Sequence, residues 1–288
     1  MIEDREGFPP GVPCWVDTSQ PDPEAAARFY GGLFGWEFEN RMPSGAPGKY
    51  FIARLGGREV AAVGSEPDEQ SRVPVWSTYI GVDHADDTAA RVVGAGGMVV
   101  AEPFDVSDAG RMGVFADPAG AEFCVWEARS TEGAQLVNAP GSWNWSNLNT
   151  DDLEGSQSFY GAVFGWEFTP VVFGGDASIL CRLPGYGRFL EAFDPDLRER
   201  QAKAGVSPGF EDAVGWMLPL ASAPAITAGA AHWSVSFSVA DTDATVERAV
   251  QLGGLVVVSP FDVPPVRLAV LADPQGAVFT VSRFSMPE

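Results

Sequence analysis

Histidine, cysteine and basic residues are scarce in this chain. Its 288 residues include only two histidines and three cysteines, Cys14, Cys124 and Cys181, so the sequence predicts no disulfide framework. Lysine and arginine together number 18 against 39 aspartates and glutamates, which gives a formal net charge of -21. Because nucleic acid and anionic membrane surfaces would repel such a chain, neither is expected as a partner.

Long apolar runs are also absent. No segment approaches the roughly 20 apolar residues that a membrane-spanning helix needs, and the opening MIEDREGFPPG lacks the pattern of a secretory signal peptide. The composition is nevertheless 45% hydrophobic, which is enough for a sizeable core in two domains. We therefore expect a reduced, soluble protein of the cytoplasm, present as a monomer or homodimer.

Four short motifs of the first half return in the second half in the same order. They are FYGGLFGWEF at 29–38 and FYGAVFGWEF at 159–168, GG at 96–97 and 253–254, PFDV at 103–106 and 260–263, and DPAG at 117–120 and DPQG at 273–276. Dispersed matches in one order indicate tandem duplicated domains.

The spacing between matching motifs grows from 130 to 157 residues along the chain, which indicates an insertion in the second copy. We predict a first domain at 1–130, a linker at 131–142 and a second domain at 143–288, with the insertion near 194–230. The inserted segment mixes apolar residues with glycine and proline, and we expect it to act as a lid or an inter-domain brace.

Each copy shows one order of elements twice. A β-prone segment at 13–19 precedes a helix with Asp22 as its N-cap, Pro23 in its first turn and Gly35 just past its end. Three short strands follow, and the same order begins again at 75–82. This pattern predicts four βαβββ motifs and an α+β fold. In this fold we expect the FY residues to pack the helix against the sheet and the FGW residues to mark the end of the helix.

The FY-x-x-x-FGW helix exit, the later Gly-Gly and the closing Asp-Pro-x-Gly turn, all within paired βαβββ units, resemble the vicinal oxygen chelate superfamily. This group includes glyoxalase I, bleomycin-resistance proteins and extradiol dioxygenases. The resemblance covers nearly all of 13–128 and 143–284. It implies that the mixed sheet of each domain curls into a cup, with helices outside and a ligand inside.

The resemblance also implies three metal-ligand positions in each cup, usually held by His or Gln, His, and Glu. The residues at these positions are Trp15, Ser77 and Cys124 in the first copy and Trp145, Ser234 and Thr280 in the second. Divalent metals need several His, carboxylate or thiolate ligands, so we expect no metal, and we find no motif for a dinucleotide or flavin cofactor. Glu191 or His232 could in principle join a rearranged metal site.

Strand alternation sorts the side chains that should face each cup. The predicted ligand contacts are Trp15, Ser77, Tyr79, Cys124 and Trp126 in the first cup and Trp145, Asn147 and His232 in the second. The tryptophans form either a flat wall for an aromatic ligand or ordinary packing. His84 lies in a polar turn and is expected at the surface.

Two carboxyl groups, Asp17 and Glu122, should face the first cup, where the second copy has Asn147 and Val278. Desolvation among aromatic rings would favour the neutral form of a carboxyl group and bring it toward general acid or base strength near neutral pH. We predict catalytic roles for both residues. The alternatives are a hydrogen-bonded structural Asp17 and a solvated Glu122 near a strand end.

These residues lead to a hypothesis of a metal-independent enzyme that binds a hydrophobic aromatic or polyketide-like molecule. Acid–base chemistry by Asp17 suits dehydration, cyclisation or isomerisation. By resemblance, tandem metal-free members of the superfamily belong to bacterial secondary metabolism. One alternative is a binding protein that sequesters a drug, as bleomycin-resistance proteins do. Another is a metal-dependent glyoxalase or dioxygenase.

Overall fold

The structure is a computed structural model that describes residues 7–65, 73–173, 176–203, 206, 208–222, 229–263 and 265–284. Four βαβββ motifs follow one another along the chain. Motif 1 contains β1 (Pro13–Gln20), α1 (Pro23–Phe34), β2 (Glu37–Asn40), β3 (Tyr50–Leu55) and β4 (Arg58–Ser65). Motif 2 contains β5 (Trp76–Gly81), α2 (Ala85–Gly94), β6 (Met98–Val106), β7 (Gly110–Ala116) and β8 (Glu122–Ala128).

The second copy repeats this order with additional helices. Motif 3 contains β9 (Trp143–Thr150), α3 (Leu153–Phe164), β10 (Glu167–Phe173), β11 (Asp176–Arg182), α4 (Tyr186–Glu191), α5 (Leu197–Lys203) and β12 (Ala213–Pro219). Motif 4 contains β13 (His232–Ser238), α6 (Thr242–Gln251), β14 (Leu255–Val263), β15 (Val266–Ala272) and β16 (Val278–Phe284). In the described part of the chain, no helix has the length and apolar character to cross a bilayer.

Local sequence signals set the ends of α1. The side chain of Asp22 accepts a hydrogen bond from the backbone N–H of Ala25 at 2.9 Å, and Pro23 stands at the first position. Gly35 ends the helix in the left-handed conformation, with φ of 75°. Helix α3 has the same two devices, because Asp152 caps its start and Gly165 ends it. The FGW motif is therefore a helix exit in both copies.

The strands form two eight-stranded sheets of the same topology. Their orders are β2-β3-β4-β1-β5-β8-β7-β6 and β10-β11-β12-β9-β13-β16-β15-β14. The pairs β1–β4 and β5–β8 are parallel, whereas β2–β3, β3–β4, β6–β7 and β7–β8 are antiparallel. The predicted α+β class, with tandem motif pairs and mixed sheets, is confirmed.

The chain divides into two compact units, and each unit combines motifs from both copies. Unit 1 comprises Met1–Cys14, Thr78–Gly133 and Ser146–Trp233, so it holds most of motifs 2 and 3. Unit 2 comprises Trp15–Ser77, Ala134–Trp145 and Ser234–Glu288, so it holds most of motifs 1 and 4. The boundaries given above at 1–130 and 143–288 follow the sequence repeat and stay a prediction.

Aromatic side chains of the FY and FGW motifs build the core of each unit. In unit 1, Phe159 and Tyr160 of α3 lie against Phe123 of β8 with ring centroids 6.1 and 5.8 Å apart. In unit 2, Phe29 and Tyr30 of α1 lie in the same way against Phe279 of β16, at 6.4 and 5.6 Å. In both copies, therefore, the FY pair packs the helix against the sheet and belongs to the core.

The aspartate of each Asp-Pro-x-Gly turn is buried and hydrogen-bonded. In unit 1, the indole N–H of Trp233 donates to the hydroxyl of Tyr160 at 2.9 Å, and that hydroxyl donates to Asp117 Oδ2 at 3.2 Å. The backbone N–H groups of Ala119 and Ala121 donate to Asp117 Oδ1, both at 2.9 Å. The motif therefore ties a turn of one copy to a helix of the other.

The extra residues of the second copy connect β11 to β12. Residues 183–212 form this connection and contain α4 and α5, where the first copy joins β3 to β4 through Gly56 and Gly57. Within the predicted 194–230 segment, Ala213–Pro219 is strand β12, whose Met217 is fully buried. Residues 223–228 of that segment lie outside the described residues.

Candidate active site

Asp17 lies on β1, on the face opposite the helix-side core. Cys14, Val16 and Thr18 of β1 are fully or almost fully buried, and strand alternation therefore directs Asp17 to the other face. The Asp17 residue keeps 7% of its surface exposed, and the neighbouring odd-numbered Trp15 keeps 8%. Both residues belong to unit 2.

A hydrogen-bonded chain joins Trp15, Tyr50 and Asp17. The indole N–H of Trp15 donates to the Tyr50 hydroxyl at 3.3 Å, and the Tyr50 hydroxyl donates to Asp17 Oδ2 at 2.9 Å. Tyr50 begins β3 and is half-buried. Asp17 is therefore buried and hydrogen-bonded to a phenol.

Two small residues of β4 lie beside these hydrogen-bonded side chains. Strand β4 places Ala62 beside Asp17 and Gly64 beside Ser19, and Gly64 in turn pairs with Tyr50 of β3. A Cβ atom on Gly64 would lie 3.1 Å from Cδ2 of the Tyr50 ring. The φ angle of Gly64 lies outside the left-handed region, so the backbone conformation does not require glycine there. The glycine instead leaves space for the tyrosine ring.

The second copy lacks each of these features at the corresponding positions. Asn147 stands for Asp17, and its neighbour on β12 is Trp216 in place of alanine. Leu218, two residues after Trp216, takes the position of Gly64. The β11–β12 register, in which Ile179 pairs with Met217, then places Ser178 opposite Leu218, at the position of Tyr50. The Trp216 ring also lies 6.3 Å from the ring of Phe210. A carboxylate paired with a phenol over small residues is therefore a feature of the first copy.

Motif 2 presents an apolar face in unit 1. Phe123 and Val125 of β8 are in the core, so Cys124 and Trp126 lie on the other face. Cys124 pairs with Tyr79 of β5. The Trp126 indole N–H donates to the Thr131 carbonyl at 2.8 Å. A Cβ atom on Gly110 would lie 2.5 Å from the Trp126 ring, which shows that the ring covers this glycine and is held in place.

The other predicted site residues have more varied surroundings. Glu122 is exposed at the start of β8, which agrees with the solvated alternative. Ser77 and Trp145 are half-buried on β5 and β9. His232 begins β13, where its Nδ1 lies 3.0 Å from the Ala230 carbonyl. Functional roles for these residues stay predictions.

The side chains at the metal-ligand positions of the superfamily do not suit a divalent cation. Trp15, Ser77 and Cys124 in one copy offer one thiol, and Trp145, Ser234 and Thr280 in the other offer hydroxyls. Among the described residues, no group of three or more His, Cys, Asp or Glu is placed to hold a metal ion.

Sequence reasoning missed Tyr50. Its ring is 33 residues from Asp17 in the chain, and its pairing with the aspartate follows from the β3–β4 register. That register contains a shift between Ala53 and Arg54, which cannot be counted from strand periodicity.

Comparison with known proteins gives matches along both copies. A family model described as a glyoxalase-like domain matches residues 15–126 and again 145–282. CFP32 of Mycobacterium tuberculosis, provisionally named a glyoxylase, is 36% identical over 282 residues, which are 96% of each chain. DnrV of Streptomyces peucetius, named an anthracycline biosynthesis protein, is 37% identical over 293 residues, 95% of this chain and 94% of DnrV.

The fold also resembles solved structures of low sequence identity. The Mn(II)-bound glyoxalase from Novosphingobium aromaticivorans aligns with 97% of this chain and 83% of its own, at a TM-score of 0.59 and 16% identity. At this identity the similarity shows a shared fold.

Proposed function

The chain belongs to the glyoxalase-like domain family of the vicinal oxygen chelate superfamily, and on this premise we propose that it is a metal-independent enzyme using acid–base chemistry. Its substrate is a hydrophobic aromatic or polyketide-like molecule of bacterial secondary metabolism. The reaction is a dehydration, a cyclisation or an isomerisation. Each of these reactions removes one proton from the substrate and delivers one to it, without a redox cofactor.

One observation carries the proposal, namely the hydrogen bond between the Asp17 carboxylate and the Tyr50 phenol. Both groups are ionisable and lie on a face where the adjacent strand has Ala62 and Gly64. The second copy has an amide and a hydroxyl there, with Trp216 in the place of Ala62. Since the first copy has the acidic side chain at this position and the second has an amide, we assign proton transfer to the first copy.

Two further observations support the class of substrate. DnrV is named for anthracycline biosynthesis and is 37% identical over 95% of this chain. The Trp15 indole lies in unit 2 on the same face of β1 as Asp17 and donates to Tyr50, so an aromatic side chain adjoins the proposed proton-transfer groups.

The donor set is the reason for proposing chemistry without a metal. Tryptophan and serine stand at two of the three family ligand positions in each copy, and neither side chain is a good ligand for a hard or borderline divalent ion. Proton transfer at Asp17 needs no such ion.

The test is turnover of hydroxylated polyketide-type aromatic compounds by wild type and Asp17→Asn, each with and without a chelator. We expect chelation to leave wild-type turnover unchanged and Asp17→Asn to lower it about 10²–10⁴-fold, the usual contribution of one acid–base group. Asp87→Asn, the same substitution at an exposed position of α2, is the matched control. Tight binding without turnover would favour a sequestering protein, and loss of activity on chelation would favour a metal enzyme.

A further inference from the structure

We propose that Tyr50 is a second catalytic residue, whose phenol oxygen contacts a phenolic or enolic hydroxyl of the substrate and passes its proton to Asp17. This inference rests on the proposed function and adds to it a proton path and a narrower substrate class. It comes from the direction of the hydrogen bonds in the chain from Trp15 through Tyr50 to Asp17.

Both hydrogen bonds of this chain point toward the carboxylate. Trp15 donates to the Tyr50 oxygen, and Tyr50 donates to Asp17. Since an indole N–H can only donate, the polarity at Trp15 is fixed by chemistry. A donor aimed at the phenol oxygen stabilises negative charge there, which is the charge that forms when Tyr50 gives up its proton.

Exposure indicates which group meets the substrate. Asp17 keeps 7% of its surface exposed, whereas Tyr50 is half-buried at the first position of β3. A molecule that approaches this face therefore reaches the phenol more readily than the carboxylate.

Contacts at the edge of β3 and β4 hold Tyr50 in place. The backbone N–H of Lys49 donates to Ser65 Oγ at 2.8 Å, and the backbone N–H of Ser65 donates to the Lys49 carbonyl at 2.9 Å. These bonds hold the backbone immediately before Tyr50, and the Tyr50 ring lies over Gly64. Such a preorganised group suits proton transfer better than a mobile side chain.

The proton step balances without another reactant. The substrate O–H bond breaks and its proton moves to the Tyr50 oxygen, while the phenol proton moves to Asp17 Oδ2. Tyr50 is neutral again, Asp17 is protonated, and the substrate carries the negative charge as a phenolate or enolate. The proton returns by the reverse path to a different atom of the substrate, or to a departing hydroxide, which completes isomerisation or dehydration.

This proton transfer from the substrate through Tyr50 to Asp17 also limits the class of substrate. Proton transfer is efficient when donor and acceptor have similar strengths, and phenols in water titrate near pH 10. Hydroxyl groups of phenols and of enolised dicarbonyls fall in that range, whereas aliphatic alcohols are far weaker acids. We therefore assign a hydroxylated aromatic or enolisable polyketide-type substrate.

The experiment has a kinetic arm and a binding arm. Tyr50→Phe retains the ring and removes the hydroxyl, and Tyr186→Phe in α4 is the matched control. We expect kcat to fall about 10²-fold in Tyr50→Phe with KM changed less than about threefold. The double variant with Asp17→Asn should be no slower than the worse single variant, because the two residues act as one unit.

The binding arm uses 1,4-dihydroxyanthraquinone, a dye whose visible band moves to longer wavelength when a hydroxyl ionises. Wild type and Tyr186→Phe should bind the dye with this shift, and Tyr50→Phe should bind it up to about tenfold more weakly and without the shift. This readout does not depend on turnover.

The outcomes separate the two proposals. If Tyr50→Phe matches wild type in kcat and in the dye spectrum while Asp17→Asn is inactive, the Tyr50 inference is wrong and the proposed function stands. If wild type turns over none of the hydroxylated aromatic compounds, the proposed function fails and the catalytic role of Tyr50 fails with it, whatever the dye shows.

Discussion

Replacement of Tyr160 by phenylalanine should destabilise unit 1 more than the equivalent change at Tyr30 destabilises unit 2. Both tyrosines accept an indole N–H and donate to the buried aspartate of an Asp-Pro-x-Gly turn. In unit 2, however, Gln20 Nε2 also donates to Asp273 Oδ2, at 2.8 Å. The repeat partner of Gln20 is Thr150.

The magnitude follows from the groups that each variant leaves without a partner. Tyr160→Phe removes a hydrogen bond to a carboxylate, worth roughly 1.5–3 kcal/mol, and leaves the buried indole N–H of Trp233 without its acceptor, at about 1–3 kcal/mol. Because such terms overlap, we expect a loss of about 3 kcal/mol. In Tyr30→Phe the carboxylate keeps the Gln20 donor, so the loss should be about 2 kcal/mol.

Hydrogen exchange measured by mass spectrometry is the suitable assay, because it reports opening free energies for each unit separately. Peptides from α3 and β8 report unit 1, and peptides from α1 and β16 report unit 2. Adding Gln20→Ala to Tyr30→Phe should bring the loss in unit 2 to that of Tyr160→Phe in unit 1. If Tyr30→Phe alone cost as much as Tyr160→Phe, the compensating role of Gln20 would be refuted.

Two other predictions concern protonation and metal content. Burial raises the pKa of the Asp117 carboxyl above its ordinary 3.8, against the opposing effect of its backbone and Tyr160 hydrogen bonds. The folded state therefore binds this proton more tightly than the unfolded chain, so the stabilisation from Asp117 is complete below about pH 3.8 and is lost as the pH rises through the folded-state pKa. Carboxyl carbon chemical shifts should show Asp117 titrating above exposed aspartates, and a midpoint at or below theirs would contradict the desolvation argument. Elemental analysis of the purified protein should find far less than one zinc, iron, nickel or manganese ion per chain, since Trp15 and Trp145 stand where the family places a ligand; about one ion per chain would overturn the argument from the ligand positions.

Local signals in the sequence determined the elements and their order. Asp22 and Gly35 set the ends of α1 through contacts within a few residues, and the same types of residue recur at Asp152 and Gly165. Such signals act through backbone conformation, so they can be recognised without knowledge of distant packing. The duplication is equally visible, because matching motifs keep their order.

Strand periodicity also sufficed to direct Asp17 away from the core. Its neighbours Val16 and Thr18 are apolar or small and fully buried, and side chains on a strand alternate between faces. Alternation shows which way the side chain points but not what it contacts, so it left open whether Asp17 was structural or part of a site.

The sequence by itself thus determined the α+β class, the four motifs, the helix ends and the face on which Asp17 lies. The tertiary structure decided which motifs share a compact unit, where the inserted residues leave the sheet, and that Tyr50 meets Asp17. The physical reason is the range of the interactions. Helix caps and strand alternation depend on neighbouring residues, whereas a bond across 33 residues depends on strand register, and β3 and β4 shift register between Ala53 and Arg54.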